Sequence, residues 1–349
     1  MLHATTPGLP ARLATGRPIS GYIGFDPSGP SLHVGHLVPV FGLLQLQRHG
    51  GRPVALVGGG TGMIGDPSGR STERNLLDRE TLEANVVSLR SQLERFLDFS
   101  GDSGARMVNN LDWLGRIGLI EFLRDIGKHF TVPYMLAKDS VQVRLDRGLS
   151  FTEFSYMLLQ AADFDHLNRE LGVELQMGGA DQWGNITAGL ELIRRRSGGG
   201  AEAGADGEER AHGLAYPLLL NASGAKFGKS ETGDSVWLDA ERTSPYAFYQ
   251  YWLNTDDRDV GGYLRWFTLL AREEIESVEA DHAAAPESRA AQRTLARDVT
   301  ARTHGADAAA HAEAVGRAAF SGEPIRDPAV LATLHDATGG FTWNGEGVG

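Results

Sequence analysis

The sequence predicts an α/β protein: a doubly wound parallel sheet, interrupted by a helical insertion and followed by a small α-helical domain. Two observations predict this. Short apolar runs alternate with longer stretches of helical period from about residue 20 to residue 196, in the order strand, turn, helix, strand, helix, strand. After Trp237 the strand signals stop and Ala-rich helical segments take over.

The elements follow in order. Residues 20–26, Ser-Gly-Tyr-Ile-Gly-Phe-Asp, read as a buried strand ending in a turn. Pro27, Gly29 and Pro30 break the chain, and Ser31 is expected to cap a helix from about His33 to His49, with Leu37, Phe41 and Leu44 at helical spacing. Arg52-Pro-Val-Ala-Leu-Val57 is the next strand, then a glycine run, a helix from about Thr81 to Phe99, and a strand over Ala105 to Asn109. Such a sheet binds its ligand at the carboxyl ends of its strands. Residues 112–150 break the alternation with mixed helical segments and read as an insertion that carries an oligomer surface. The alternation resumes with helix 152–170, strand 173–178 and a helix from Asp181 to Arg196. Residues 197–211 are a polar, glycine-rich loop. Ser244-Pro245 caps a helix crowded with aromatics, whose rings are expected to form core. Residues 1–18 read as a frayed start, 19–235 as the catalytic unit, 236–330 as the helical domain and 331–349 as a tail.

Composition narrows the function. With 349 residues the chain has room for two domains. Hydrophobic content of 41% and charged content of 22% are those of an ordinary globular protein. The absence of Cys excludes disulfides and thiolate metal sites and fits a reducing, cytoplasmic setting. A net charge of −12 leaves no global basic footprint, so contact with nucleic acid would need a local patch. No stretch approaches the roughly 20 apolar residues of a membrane span, and the N-terminus has no secretory apolar core.

Gly60-Thr-Gly62-Met-Ile-Gly65 follows a strand and matches a dinucleotide fingerprint. That fingerprint needs a helix opening at the second glycine, which Pro67 and Gly69 would break. A nicotinamide oxidoreductase is therefore disfavoured, and Asp66 is read as a side chain presented at a strand end. His33 and His36 sit three residues apart at a helix start with Gly35 between them. No carboxylate cluster or Cys accompanies them, so a metal site is not expected. A helix N-terminus favours anions, and imidazole N–H groups there can bond phosphate oxygens, with Ser28 as a further donor on the preceding turn. Lys226 and Lys229 flank Gly228 in Lys-Phe-Gly-Lys-Ser, a glycine-rich segment suited to closing over phosphates but lacking P-loop spacing. Tyr156, Gln160 and Asp163 lie at i, i+4 and i+7 of one helix and share a face. That face is either a polar exterior or the wall of a polar pocket. Gln176-Met-Gly-Gly-Ala-Asp181-Gln182-Trp183-Gly184-Asn185 runs from a strand end into a helix, where Gly178 and Gly179 permit close backbone approach and Asp181 can accept from a ribose hydroxyl.

Together these residues resemble the tyrosyl-tRNA synthetases of bacterial type, class I aminoacyl-tRNA synthetases with a Rossmann-like catalytic domain. His33-Val-Gly-His36 is similar to that family's HIGH motif, and Lys226-Phe-Gly-Lys229-Ser230 to its KMSKS motif. Gly65-Asp-Pro-Ser-Gly69, Phe151-Thr-Glu-Phe-Ser-Tyr-Met-Leu-Leu-Gln160 and Asp181-Gln-Trp-Gly-Asn185 also resemble it. The resemblance implies formation of tyrosyl-adenylate from tyrosine and ATP, then transfer to the 3′ end of tRNA(Tyr), with Mg²⁺ carried on the phosphates. It implies that Tyr22 and Asp163 bond the phenol hydroxyl, that Asp66, Tyr156 and Gln160 hold the ammonium group, and that Gln182 lies near the carboxylate. Gly24, Asp26, Gly35, Gly179, Asp181 and Lys229 would serve ATP. Ser28 and His33 would touch the γ-phosphate, and His36 would lie toward the α-phosphate and ribose. Lys226, Lys229, Arg70 and Arg74 would hold the departing pyrophosphate. Ser28 stands where Thr is usual, Ile23 where Cys is frequent and Arg70 where Lys is frequent. The family continues into an S4-like RNA-binding domain beyond the point matching Gly349, so adenylate formation with weak or absent charging of tRNA is expected. A homodimer through residues 112–150 is a family expectation. The rival reading is a non-catalytic class I synthetase relative acting as an RNA-binding or regulatory module.

Overall fold

The structure is a computed structural model that describes residues 2–67, 78–101, 103–145, 148–197, 210–224, 227–228 and 234–338. The chain divides into two compact units. The first is Met1–Ser31 with Pro39–Leu219, and the second is Leu32–Val38 with Leu220–Gly349.

The first unit is built on a six-stranded sheet. Its strands are β1 (Ala4–Thr5), β2 (Ser20–Phe25), β3 (Arg52–Val57), β4 (Arg106–Asn109), β5 (Leu175–Gly179) and β6 (His212–Tyr216), in spatial order β1-β6-β5-β2-β3-β4. The pairs from β6 through β4 are all parallel, whereas β1 joins β6 antiparallel. The expected doubly wound parallel sheet is present, with one antiparallel edge strand added. From β2 the chain winds outward through β3 and β4, then returns to the other side of β2 for β5 and β6. The reversal makes the β2–β5 boundary the topological switch point. Arg52 is the only exposed residue of β3, and β5 is buried throughout, as strands covered on both faces must be.

Helices of this unit are α1 (Leu9–Ala14), α2 (Leu37–Arg48, from Pro39 onward), α3 (Arg79–Leu93), four short helices α4 (Leu111–Leu114), α5 (Leu119–Asp125), α6 (Val132–Leu136) and α7 (Asp139–Leu145), then α8 (Phe151–Leu171) and α9 (Trp183–Arg196). The longest, α8, starts where the Ser150 hydroxyl accepts from the Glu153 backbone N–H and ends at Gly172, whose φ of 64° is left-handed. Two details differ from the sequence expectation. Residues 4–14, expected to be frayed, form β1 and α1, and Arg12 is pinned by Glu174 (Nε–Oε2 2.6 Å). Ser31 is not a helix cap: it is buried and its Oγ donates to Gln92 Oε1 at 3.2 Å. The polar 198–209 stretch lies outside the described residues.

The second unit is helical in its described part: α10 (Pro245–Leu253), α11 (Asp257–Phe267), α12 (Arg272–Ala284), α13 (Ala290–His304), α14 (Ala306–Ala319) and α15 (Pro328–Thr338). Ser244 caps α10, accepting from the Ala247 N–H at 3.2 Å. The aromatics of α10 are core, as expected, with Phe248, Tyr249 and Trp252 all buried. Phe227 joins that core. Its ring lies 5.1 Å from Phe267, 5.1 Å from Tyr263 and 5.8 Å from Trp252. The two compact units thus divide at Leu220 and around the histidine turn.

Candidate active site

Each unit holds its own group of the predicted residues. In the first unit they gather at the carboxyl ends of β2 and β5, where a switch point places a ligand. Helix α8 turns Tyr156 and Asp163 inward, at 5% and 1% exposure, so their shared face is a pocket wall and not a polar exterior. Tyr156 OH donates to Asp26 Oδ2 at 3.0 Å, and Thr61 Oγ1 donates to Asp26 Oδ1 at 2.8 Å. Asn110 continues the chain of bonds. Its Nδ2 donates to Thr61 Oγ1 (3.0 Å) and to Asp163 Oδ2 (2.9 Å), while its Oδ1 accepts from the Gly60 N–H (2.7 Å). Trp113 Nε1 donates to the other Asp163 oxygen at 2.8 Å.

A second group of bonds lies on Asp66. Its Oδ2 accepts from Gln182 Nε2 at 2.8 Å. Gln182 Oε1 accepts from Gln160 Nε2 (3.2 Å) and from Asn185 Nδ2 (3.2 Å), and Asn185 also donates to Gln160 Oε1 (2.9 Å). Tyr22 and Gln176 complete the floor. Both are buried, and the Tyr22 hydroxyl and Gln176 Oε1 have no hydrogen-bond partner among the described residues.

Burial governs the electrostatics. Loss of water pushes the Asp163 carboxyl up to about 8, although the Asn110 and Trp113 donors pull it down; the nearby Asp26 charge raises it further. Burial likewise raises the Tyr22 phenol, with Asp163 adding to the effect. Tyr156 is raised by burial first, then by Asp26 and Asp66. Asp26 just after β2, Asp66 after the Thr61–Met63 turn and Asp163 on α8 therefore bear on one region, which suits a ligand carrying a positive charge and a hydroxyl donor.

The remaining predicted residues of this unit sit around the same strand ends. Gly24 and Ser28 are exposed, and nothing lies within 4 Å of where a Gly24 Cβ would be. Asp181 and Gln182 form a short 3₁₀ turn before α9, and a Cβ on Gly179 would lie 2.6 Å from Asp181 Oδ1. Here glycine makes room for the protein's own carboxylate. The glycine run after β3 makes only the 3₁₀ turn Thr61–Met63, so no helix opens at Gly62 and the dinucleotide fingerprint is not built. Asn110, Trp113 and Thr61 are residues to which the sequence reading assigned no role, and Gln176 and Asn185 stood there only as the ends of a motif.

The second unit holds the histidine turn, Val34–His36, capped by His33. His33 Nδ1 accepts from the Gly35 N–H at 3.0 Å, and the His33 N–H donates to His36 Nδ1 at 3.1 Å. A backbone N–H can only donate, so both Nδ1 atoms are acceptors and each neutral ring carries its hydrogen on Nε2. The rings lie 4.0 Å apart. A bridge between His33 and Trp237, with Val34 N–H to Val236 O and Leu238 N–H to Leu32 O at 2.8 Å each, clamps the turn. Phe227 and Gly228 reach the same turn. A Cβ on Gly228 would lie 3.3 Å from Gly35 Cα, and one on Gly35 would lie 3.5 Å from Phe227 O. Lys226, Lys229, Arg70 and Arg74 lie outside the described residues. Among the described residues no group of three or more His, Cys, Asp or Glu is placed to hold a metal ion.

A family model described as class I tRNA synthetases (W and Y) matches residues 14–321. Fold and match together define a class I synthetase. The chain is 57% identical over 326 residues to the tyrosine–tRNA ligase of Anaeromyxobacter dehalogenans (strain 2CP-1), covering 93% of this chain and 75% of that protein. It is 55% identical to the tyrosine–tRNA ligase of Geobacillus stearothermophilus, covering 86% and 70%. Among solved structures it resembles a C-terminally truncated mitochondrial tyrosyl-tRNA synthetase of Aspergillus nidulans, with TM-score 0.80, 30% identity, and 92% and 91% of the two chains covered. The corresponding Coccidioides posadasii protein gives TM-score 0.77 at 31% identity, with 89% and 88% covered. The chain belongs to the tyrosine–tRNA ligase family.

Proposed function

We infer that this protein activates L-tyrosine with ATP and transfers the tyrosyl group to the 3′ end of tRNA(Tyr). The observation that carries the choice of amino acid is Asp163: a buried carboxyl fixed by two donors, with the unpartnered hydroxyl of Tyr22 under its influence. A phenol can donate to Asp163 and accept from Tyr22, and phenylalanine can do neither. A site built for a hydroxyl rejects the analogue lacking it because its own buried groups stay unpaired, and tyrosyl-tRNA synthetases are the standard example of this asymmetry.

The tyrosine carboxylate is ionised at neutral pH and attacks the α-phosphorus without a general base. The new bond is carboxylate oxygen to phosphorus; the bond to the bridging oxygen breaks and pyrophosphate leaves. A terminal ribose hydroxyl of tRNA then attacks the acyl carbon and AMP leaves. Positioning and charge stabilisation do the catalysis. Asp66, Tyr156 and Gln160 are assigned to the ammonium group and Gln182 to the carboxylate side. Gly24, Asp26, Gly35, Gly179 and Asp181 are assigned to ATP. Ser28, His33 and His36 are assigned to the phosphates, the two imidazoles through Nε2–H, joined by Lys226, Lys229, Arg70 and Arg74. Mg²⁺ enters with ATP as part of the substrate.

The 112–150 region supports a homodimer: Leu119, Ile120 and Val143 are 72%, 75% and 65% exposed. No helix among the described residues is long and apolar enough to cross a membrane, and a cytoplasmic location fits the cysteine-free composition. The deciding experiment is ATP–pyrophosphate exchange with tyrosine, phenylalanine and tryptophan side by side. Tyrosine-dependent exchange is expected; none from folded protein overturns the assignment.

A further inference from the structure

Asp163 owes one of its two side-chain donors to Trp113, and Trp113 stands on α4, a helix of only four residues. One helical turn has little intrinsic stability, so something must hold the indole in the orientation its N–H···O bond requires. The indole packs against the cluster that holds Tyr22, Phe164 and Leu167. The imidazole of His166 is stacked on the indole, with ring centroids 4.3 Å apart and planes within 15°. His166 follows Asp163 by three residues on α8, so it projects from the same side of that helix, one turn on. The helix that presents the carboxyl therefore also presents the ring that steadies the carboxyl's donor. His166 is half-buried, so its ring is not a pillar of the core.

We propose that His166 is a positioning residue for tyrosine recognition, holding the Trp113 indole N–H on Asp163 and so sharpening selection of tyrosine over phenylalanine. The inference rests on the tyrosine-activating reading above. A hydrogen bond needs near-linear geometry, and a small rotation of the indole about its side-chain torsions takes Nε1 off the carboxylate oxygen. Asp163 would then keep only Asn110, and the phenol would meet a carboxyl less firmly placed. Phenylalanine never uses that oxygen and would not sense the change.

The test is pyrophosphate exchange by the full chain. Wild type is measured first with tyrosine and with phenylalanine; no exchange there removes the tyrosine reading rather than this inference. Given wild-type activity, His166→Ala is expected to raise the KM for tyrosine by about 3- to 10-fold, the size of one lost hydrogen bond. The KM for ATP, kcat at saturating tyrosine and the KM for phenylalanine should not move. His166→Phe, which keeps a flat ring, should restore the tyrosine KM. In a Trp113→Phe background, where the N–H is already gone, His166→Ala should add nothing. Should His166→Ala prove too unstable to assay, His166→Leu fills the space without a flat ring and carries the same expectation. An unchanged tyrosine KM, an equal rise for tyrosine and phenylalanine, or a full effect in the Trp113→Phe background overturns the proposal. A readout free of activity is the ¹⁵N-indole NMR signal of Trp113, assigned by its loss in Trp113→Phe. It should shift in His166→Ala and hold its place in His166→Phe.

Discussion

Tyr22 and Gln176 are register partners across β2 and β5, and each ends in a buried polar atom with no hydrogen-bond partner among the described residues. An unpaired buried group costs about 1–3 kcal/mol. Two such groups side by side at the switch point are a standing destabilisation that a hydroxyl-bearing ligand can relieve.

Removal of the Tyr22 hydroxyl should therefore separate stability from recognition. Tyr22→Phe is expected to keep or slightly raise the melting temperature of the unliganded protein. Its KM for tyrosine should rise about tenfold, as loss of roughly one hydrogen bond to the ligand predicts. Thermal melts and exchange kinetics check the two halves, and a lower melting temperature would contradict the first.

Asp163 predicts a pH dependence of definite sign. Burial lifts its pKa from the ordinary 3.8 to about 8. Between those values the folded chain holds a proton that the unfolded chain releases. The stabilisation is complete below about pH 4 and is lost as pH rises through about 8. Denaturant melts at pH 5 and pH 8 should show this trend, and Asp163→Asn should flatten it.

The same carboxyl predicts proton release on binding. A phenol that donates to Asp163 favours its ionised form. Tyrosine binding at pH 7 should expel a proton, and phenylalanine binding should not. Calorimetry in two buffers of different ionisation heat measures the difference.

Asn110 is fully buried and joins Gly60, Thr61 and Asp163. Asn110→Ala strands the Gly60 N–H and weakens Asp163. It should cost roughly 2–4 kcal/mol of stability, read from urea unfolding, and abolish measurable tyrosine exchange.

Gly35 and Gly228 are required by close approach. A methyl on Gly35 would lie 2.8 Å from His33 Cε1, and Gly228 has φ of 122° and abuts Gly35. Gly35→Ala and Gly228→Ala should each lower the exchange rate about 100-fold, the scale of a displacement of about 1 Å at a reacting centre. Circular dichroism should stay native.

The sequence made the large elements and the face of α8 legible, because strands and a 21-residue helix leave long periodic signals. Tyr156, Gln160 and Asp163 could be placed together by spacing alone. Asn110 and Trp113 could not: their partners are 49 to 53 residues away in sequence and no period links them. The two-residue strand β1 is equally silent, since its pairing depends on β6 more than 200 residues later. Ser31 looked like a cap by type, yet His33 took that role because its ring nitrogen reaches the Gly35 N–H.

That N-terminal strand has a practical consequence. Ala4 and Thr5 occupy the outer margin of β6, with the His3 N–H on Ala215 O and the Thr6 N–H on Gly213 O. Trimming those first residues would bare a row of backbone donors and acceptors able to template pairing with another chain. Expression tags are therefore better fused with a spacer ahead of His3 than substituted for the residues that follow it.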